Sequence, residues 1–118
     1  MSKALRVHVG ETLEDFGERA ISAWHRMERG EAVREKHVGF SDWDAMVRVL
    51  SPKRLELLRH LHGNPAKNIR ALALALGWDY RRVHEDVAAL AAAGLLERDR
   101  AGVRAEYDTL DARIRVAL

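Results

Sequence analysis

A chain of 118 residues, 47% hydrophobic and 32% charged, has the length of one ordinary domain and enough apolar side chain to bury a core. It contains no cysteine, which excludes a disulfide framework, a thiolate nucleophile and a zinc ribbon, and its net charge of +2 is too small to argue for a polyanionic partner. No apolar run approaches the ~20 residues of a membrane span, and the apolar stretch at the start is too short for a signal peptide, so a cytoplasmic protein is expected.

The opening "KALRVHV" alternates and ends at Gly10, which predicts a short strand. Thr12 followed by Asp15 resembles a capping box. Leu13, Phe16, Ala20, Ile21, Trp24 and Met27 then recur at helical spacing up to Gly30. "EAVREKHVG" is polar and predicts a loop leading into a short strand around His37 to Phe40. Ser41 is the expected cap of a helix over "DWDAMVRVL", with Asp44 reaching back to it.

Ser51-Pro52 starts the next helix, lined by Leu55, Leu58 and Leu61 and ended by Gly63 and Pro65. A helix beginning at Asn68 carries Ile69, Leu72, Ala73 and Leu76 on one side and closes at Gly77. Asp79 caps the longest well-defined helix, Tyr80 to about Ala93, which stops at Gly94. Three helices in series, the last two joined by a tight glycine turn, make a helix-turn-helix pattern. "LLERD" and "VRAEY" flank "RAG", a hairpin tip, and "ARIRVAL" predicts a third strand with Ile114, Val116 and Leu118 on one face. The expected fold is α+β, mainly α. It is a winged helix-turn-helix over residues 36–118, preceded by a strand and helix arm over residues 1–35.

Charge is unevenly spread. Residues 51–104 hold ten basic and six acidic side chains, whereas the first fifty residues and the last fourteen are each slightly acidic. At about 100° per residue, the helix from Tyr80 places Tyr80, Val83, Val87, Leu90 and Ala91 toward the core. Arg81, Arg82, Glu85, Ala88, Ala89 and Ala92 fall on the opposite side. A helix in a DNA major groove needs donors near its N-terminus and small residues further along, and this face supplies both. Arg81 and Arg82 could bind guanine, and Glu85 could accept from a cytosine amino group. The competing reading is a solvated face with Arg81–Glu85 and Arg82–Asp86 pairs, each worth ~0.2–0.5 kcal/mol. Arg98, Arg100 and Arg104 gather around the hairpin and tip the balance toward double-stranded DNA. Lys53, Arg54, Lys67, Arg70 and His84 are the candidate phosphate contacts.

The segments "LSPKRLELLRHL", "IRALALALGWDYRRVHEDVAALAAAGLLERD" and "YDTLDARIRV" resemble the small MarR-like winged-helix regulators of bacteria and archaea, antitoxin-type members included. The resemblance spans about Val38 to Val116. It implies DNA binding by the helix from Tyr80, a wing around Arg100, a homodimer, and repression of the protein's own operon. Members of this kind are often encoded beside a small toxin. The resemblance therefore also implies an alternative, an interaction module that neutralises a toxin protein.

Six histidines invite a metal search, but His60 and His62 are two apart on a helix and point to different faces. No phosphate loop, nucleophile elbow or "HExxH" is present, so neither an enzyme nor a cofactor is expected. Phe16, Ile21, Trp24 and Met27 lie outside the winged region and would be left partly bare in a monomer, which marks them as dimer or partner contacts.

Overall fold

A computed structural model of the protein describes residues 3–10, 13–30, 36–114 and 116. In chain order the elements are β1 (Ala4–Val9), α1 (Leu13–Glu28), β2 (Lys36–Phe40), α2 (Trp43–Val49), α3 (Pro52–Gly63), α4 (Ile69–Leu76), α5 (Tyr80–Ala92), β3 (Glu97–Asp99), β4 (Gly102–Arg104) and β5 (Thr109–Ile114). Roughly half of the chain is helical, and the class is α+β.

Side-chain caps explain where four of the helices begin. Ser51 Oγ accepts from the Arg54 amide at 3.2 Å, with Pro52 in the first turn, where its missing N–H costs nothing. Asn68 caps α4 through the Ala71 amide at 2.8 Å, and Asp79 caps α5 through the Arg82 amide at 3.1 Å. Before α2 the cap is Asp42, which accepts from Ala45 at 2.8 Å, and not the expected Ser41 one residue earlier. Aspartate accepts as readily as serine, so two candidates in a row could not be separated by residue type. The Thr12 cap and residues 31–35 of the expected loop lie outside the described residues.

β1 occupies the centre of a three-stranded parallel sheet in the order β2-β1-β5. Parallel neighbours need long connections. Helix α1 supplies the connection from β1 to β2, and the rest of the chain lies between β2 and β5. Leu5, Val7 and Val9 alternate with Ala4, Arg6 and His8 and turn inward, to join one core with Met46, Leu57, Leu58, Leu61, Leu72, Val83, Val87, Leu90, Leu95 and Val103. Each such side chain contributes about 1.5–3 kcal/mol by leaving water. The strand within residues 1–35 is thus built into the sheet and core shared with residues 36–118.

The expected third strand begins earlier than "ARIRVAL", at Thr109, and pairs with β1, Leu110 opposite Leu5 and Ile114 opposite Val9. Val116 lies beyond the strand and is almost fully exposed, and Leu118 lies outside the described residues. Asp108 starts β5 by a local exchange in which its amide donates to the Lys3 carbonyl at 2.7 Å and its carboxylate accepts from the Lys3 amide at 2.9 Å.

β3 and β4 form a separate two-stranded antiparallel hairpin. A backbone exchange between Ala66 and Val103, at 2.9 and 2.8 Å, ties β4 to the segment before α4. Gly102 makes this approach possible. Its φ is +133°, and a Cβ there would run into the Ala66 carbonyl oxygen.

Candidate functional site

Gly77 closes α4 in the left-handed conformation at φ 70°, and two residues later Asp79 opens α5, so the two helices follow one another through a tight turn. Val83, Val87 and Leu90 of α5 are fully buried beneath it. Arg81, Arg82, Glu85, Ala88 and Ala92 are exposed on the other side. Among the described residues, neither Arg81 nor Arg82 has a carboxylate within ion-pair distance, so the intrahelical pairs that would mark a merely solvated face are not formed.

Asp86 leaves that face altogether. Its side chain is buried, and Oδ1 accepts from Arg54 Nε at 3.0 Å. The same guanidinium donates from Nη1 to the carbonyls of Arg48 and Val49, at 3.1 and 3.2 Å, where α2 ends. The sequence makes Arg54 a candidate phosphate contact; its Nε and Nη1 are instead spent inside the protein, joining α2, α3 and α5. Periodicity could not show this, because Asp86 lies at the margin between the two faces of α5. Tyr80 departs from expectation in the other direction. It is 48% exposed, with the Arg70 guanidinium 5.7 Å from its ring centre and the His84 ring tilted against it at 6.1 Å. At the first residue of a helix the chain has not yet passed over the core, so the wheel assigns its direction poorly.

Of the other cations, Lys53 sits 4.8 Å above the Trp78 ring and 3.7 Å from Glu56. Lys67 is exposed immediately after Ala66, beside the hairpin, and Arg98 and Arg100 are exposed on the hairpin itself. Arg104 is not available in the same way. It reaches Asp99 at 2.8 Å, Glu97 at 2.9 Å and Glu106 at 3.4 Å. Its bonds to Asp99 raise its already high pKa further. Glu97 is held below the usual carboxylate range chiefly by Lys36, which bonds it at 2.8 Å from β2, and Asp99 chiefly by Arg104.

Three of the six histidines go to structural tasks that the sequence did not disclose. His62 donates from Nδ1 to the Ala105 carbonyl at 3.0 Å, and its Nε2 lies 3.0 Å from Asp108 Oδ1, so it connects α3 to the start of β5. His8 and His37 stack across β1 and β2 with a 2.7 Å ring-nitrogen contact. Among the described residues there is no group of three or more His, Asp or Glu able to hold a metal. Phe16, Ile21, Trp24 and Met27 of α1 are each more than half exposed.

Among the described residues these features define a small α+β protein of five helices, one parallel sheet and one hairpin, with an arginine-bearing face on α5. Residues 49–112 match the HVO_A0114 family model, and the chain belongs to the HVO_A0114 family. The match runs from the end of α2 into β5 and leaves out β1, α1 and β2. No curated protein and no solved structure matches the chain significantly. No helix among the described residues is long and apolar enough to cross a membrane.

Proposed function

We propose that this protein is a sequence-specific DNA-binding regulator that represses its own operon, with α3, α4, α5 and the β3–β4 hairpin working as a winged helix-turn-helix. The observation that carries the reading is the outward face of α5, where two arginines without carboxylate partners stand at the N-terminal end and alanines follow. In the major groove, Arg81 and Arg82 donate in pairs to guanine O6 and N7, and Glu85 accepts from a cytosine amino group. Ala88 and Ala92 let the backbone come close to the sugar-phosphate wall. Arg98 and Arg100 follow the adjacent backbone or minor groove, and Lys67 meets phosphate beside the hairpin.

Arg54 has a different part. By holding Asp86 it removes an acid that would repel phosphate, and it fixes α5 against α2 and α3. Arg104 organises the hairpin rather than touching the duplex, since three carboxylates already surround it. Lys53 and Arg70, seated on Trp78 and Tyr80, and His84 beside Tyr80 complete the phosphate-facing rim.

A gel shift of the protein on the duplex upstream of its own gene, against a scrambled duplex of equal length, tests the reading. Retention of the native duplex at concentrations that leave the scrambled one free is expected. Equal affinity for both would remove sequence-specific regulation from the account.

A further inference from the structure

Two of the histidines face each other across the parallel sheet. His8 lies on the central strand β1, on the outward side with Arg6, while Leu5, Val7 and Val9 turn into the core. His37 stands opposite Arg6 in the register of β1 with β2, so it shares that side and lies diagonal to His8. His8 Nε2 and His37 Nδ1 are 2.7 Å apart, and both rings are partly buried. A contact this short between imidazole nitrogens places one proton between them, with one nitrogen donating and the other accepting through its lone pair. Flanked by buried Leu5, Val7 and Val9, the backbone of β1 holds this arrangement in place.

We infer that His8 and His37 form a binding site for a divalent transition metal of the nickel, copper and zinc group, with the two facing nitrogens as its protein ligands. The chain has no cysteine, so imidazole is the strongest side-chain ligand it offers such ions. Coordination uses both lone pairs, and the proton between the rings moves to the far nitrogen of its own ring or leaves to solvent. Metal–nitrogen bonds of about 2.0–2.1 Å at a tetrahedral angle set the two nitrogens roughly 3.3 Å apart. The rings therefore separate by roughly half an ångström, which side-chain torsion supplies while the strands stay paired. Among the described residues no group of three or more His, Asp or Glu could hold a metal, so water fills the remaining positions and the ion exchanges readily.

Neighbouring charge selects the kind of ion. Arg6 is offset by Asp111 at 3.5 Å, but Arg113 stands opposite His8 on β5. Hard ions such as Mg²⁺ and Ca²⁺ take oxygen ligands, which two imidazoles do not supply, and Arg113 repels them. An ion that bonds to nitrogen has the imidazoles to offset that repulsion. The α5 face plays no part, so the inference stands whether or not that face binds DNA.

The test uses the untagged full chain without DNA, and Cu²⁺, Ni²⁺, Zn²⁺ and Mg²⁺ as probes. Titration calorimetry is expected to give one site per chain, tightest for Cu²⁺ and undetectable for Mg²⁺. His8→Gln and His37→Gln should each weaken Cu²⁺ binding at least about tenfold, whereas His25→Gln and His60→Gln leave it unchanged. Electron paramagnetic resonance of the unaltered chain with one equivalent of Cu²⁺ should show two coordinating imidazole nitrogens. This spectrum needs no variant, so it decides the matter even where a substitution prevents folding. A spectrum with fewer than two such nitrogens overturns the inference. So does the absence of Cu²⁺ binding, full affinity in His8→Gln and His37→Gln, or an equal loss in His60→Gln.

Discussion

Arg54 Nε donates to Asp86 Oδ1 across 3.0 Å, and this pair fastens the helix that carries Arg81 and Arg82 to the end of α2. The Asp86 side chain is buried and its Oδ2 has no hydrogen-bond partner, so the carboxylate depends on the guanidinium for compensation. Arg54→Met is expected to destabilise the fold by roughly 3–5 kcal/mol, the cost of an orphaned buried charge. Asp86→Asn keeps the shape without the charge and should cost less, about 1–3 kcal/mol. Urea unfolding midpoints of the two variants give the ordering.

Arg81 and Lys67 separate base reading from phosphate binding. Arg81→Ala should weaken the preferred duplex by about 1–3 kcal/mol and relax the preference at the base it reads. Lys67→Ala should weaken every duplex alike. Competition binding on a set of single-base variants of the upstream site distinguishes the two patterns.

Tyr107 packs its partly buried ring against the core and donates from Oη to the Leu95 carbonyl at 2.6 Å. Burial pushes its phenol up from an ordinary value of 10.0 to about 12. The folded state therefore holds the phenol neutral where the unfolded chain ionises, and its contribution, complete below pH 10, is lost as the pH rises toward 12. Ultraviolet titration should show one tyrosine ionising above the ordinary range. Tyr107→Phe should lower stability at neutral pH by about 1 kcal/mol and flatten the alkaline loss.

Gly102 is fixed by the backbone exchange between Ala66 and Val103. Gly102→Ala forces a side chain into positive φ, at a cost on the order of 1–3 kcal/mol, and presses its methyl against the Ala66 carbonyl. The hairpin should lose amide protection at Ala66 and Val103 in hydrogen exchange while the amides of α5 stay protected.

Much of this fold is visible in the chain because local signals agree with one another. Ser51-Pro52, Asn68, Gly77 and Asp79 mark helix ends where the structure has them, and the wheel puts Val83, Val87 and Leu90 inside. What stays hidden depends on distant neighbours. The parallel pairing of β1 with β5 joins residues more than a hundred apart, so no window of sequence contains it. Asp86 reads as a surface acid until Arg54 from another helix claims it, and Leu57, fully buried, falls outside the Leu55, Leu58, Leu61 repeat. Arg104 looks like any wing arginine, and only three-dimensional contact with Glu97, Asp99 and Glu106 sets it apart from Arg98 and Arg100.

Salt dependence of binding to the upstream duplex tests the central claim most directly, because cations that replace counterions on phosphate leave a fixed signature. With ~6–8 phosphates neutralised by two copies, log K should fall against log salt with a slope of about −5 to −7, and replacing Arg81 and Arg82 together by alanine should abolish the preference for that duplex. A slope near zero, or unchanged preference in the double variant, would contradict the assignment of the α5 face to DNA.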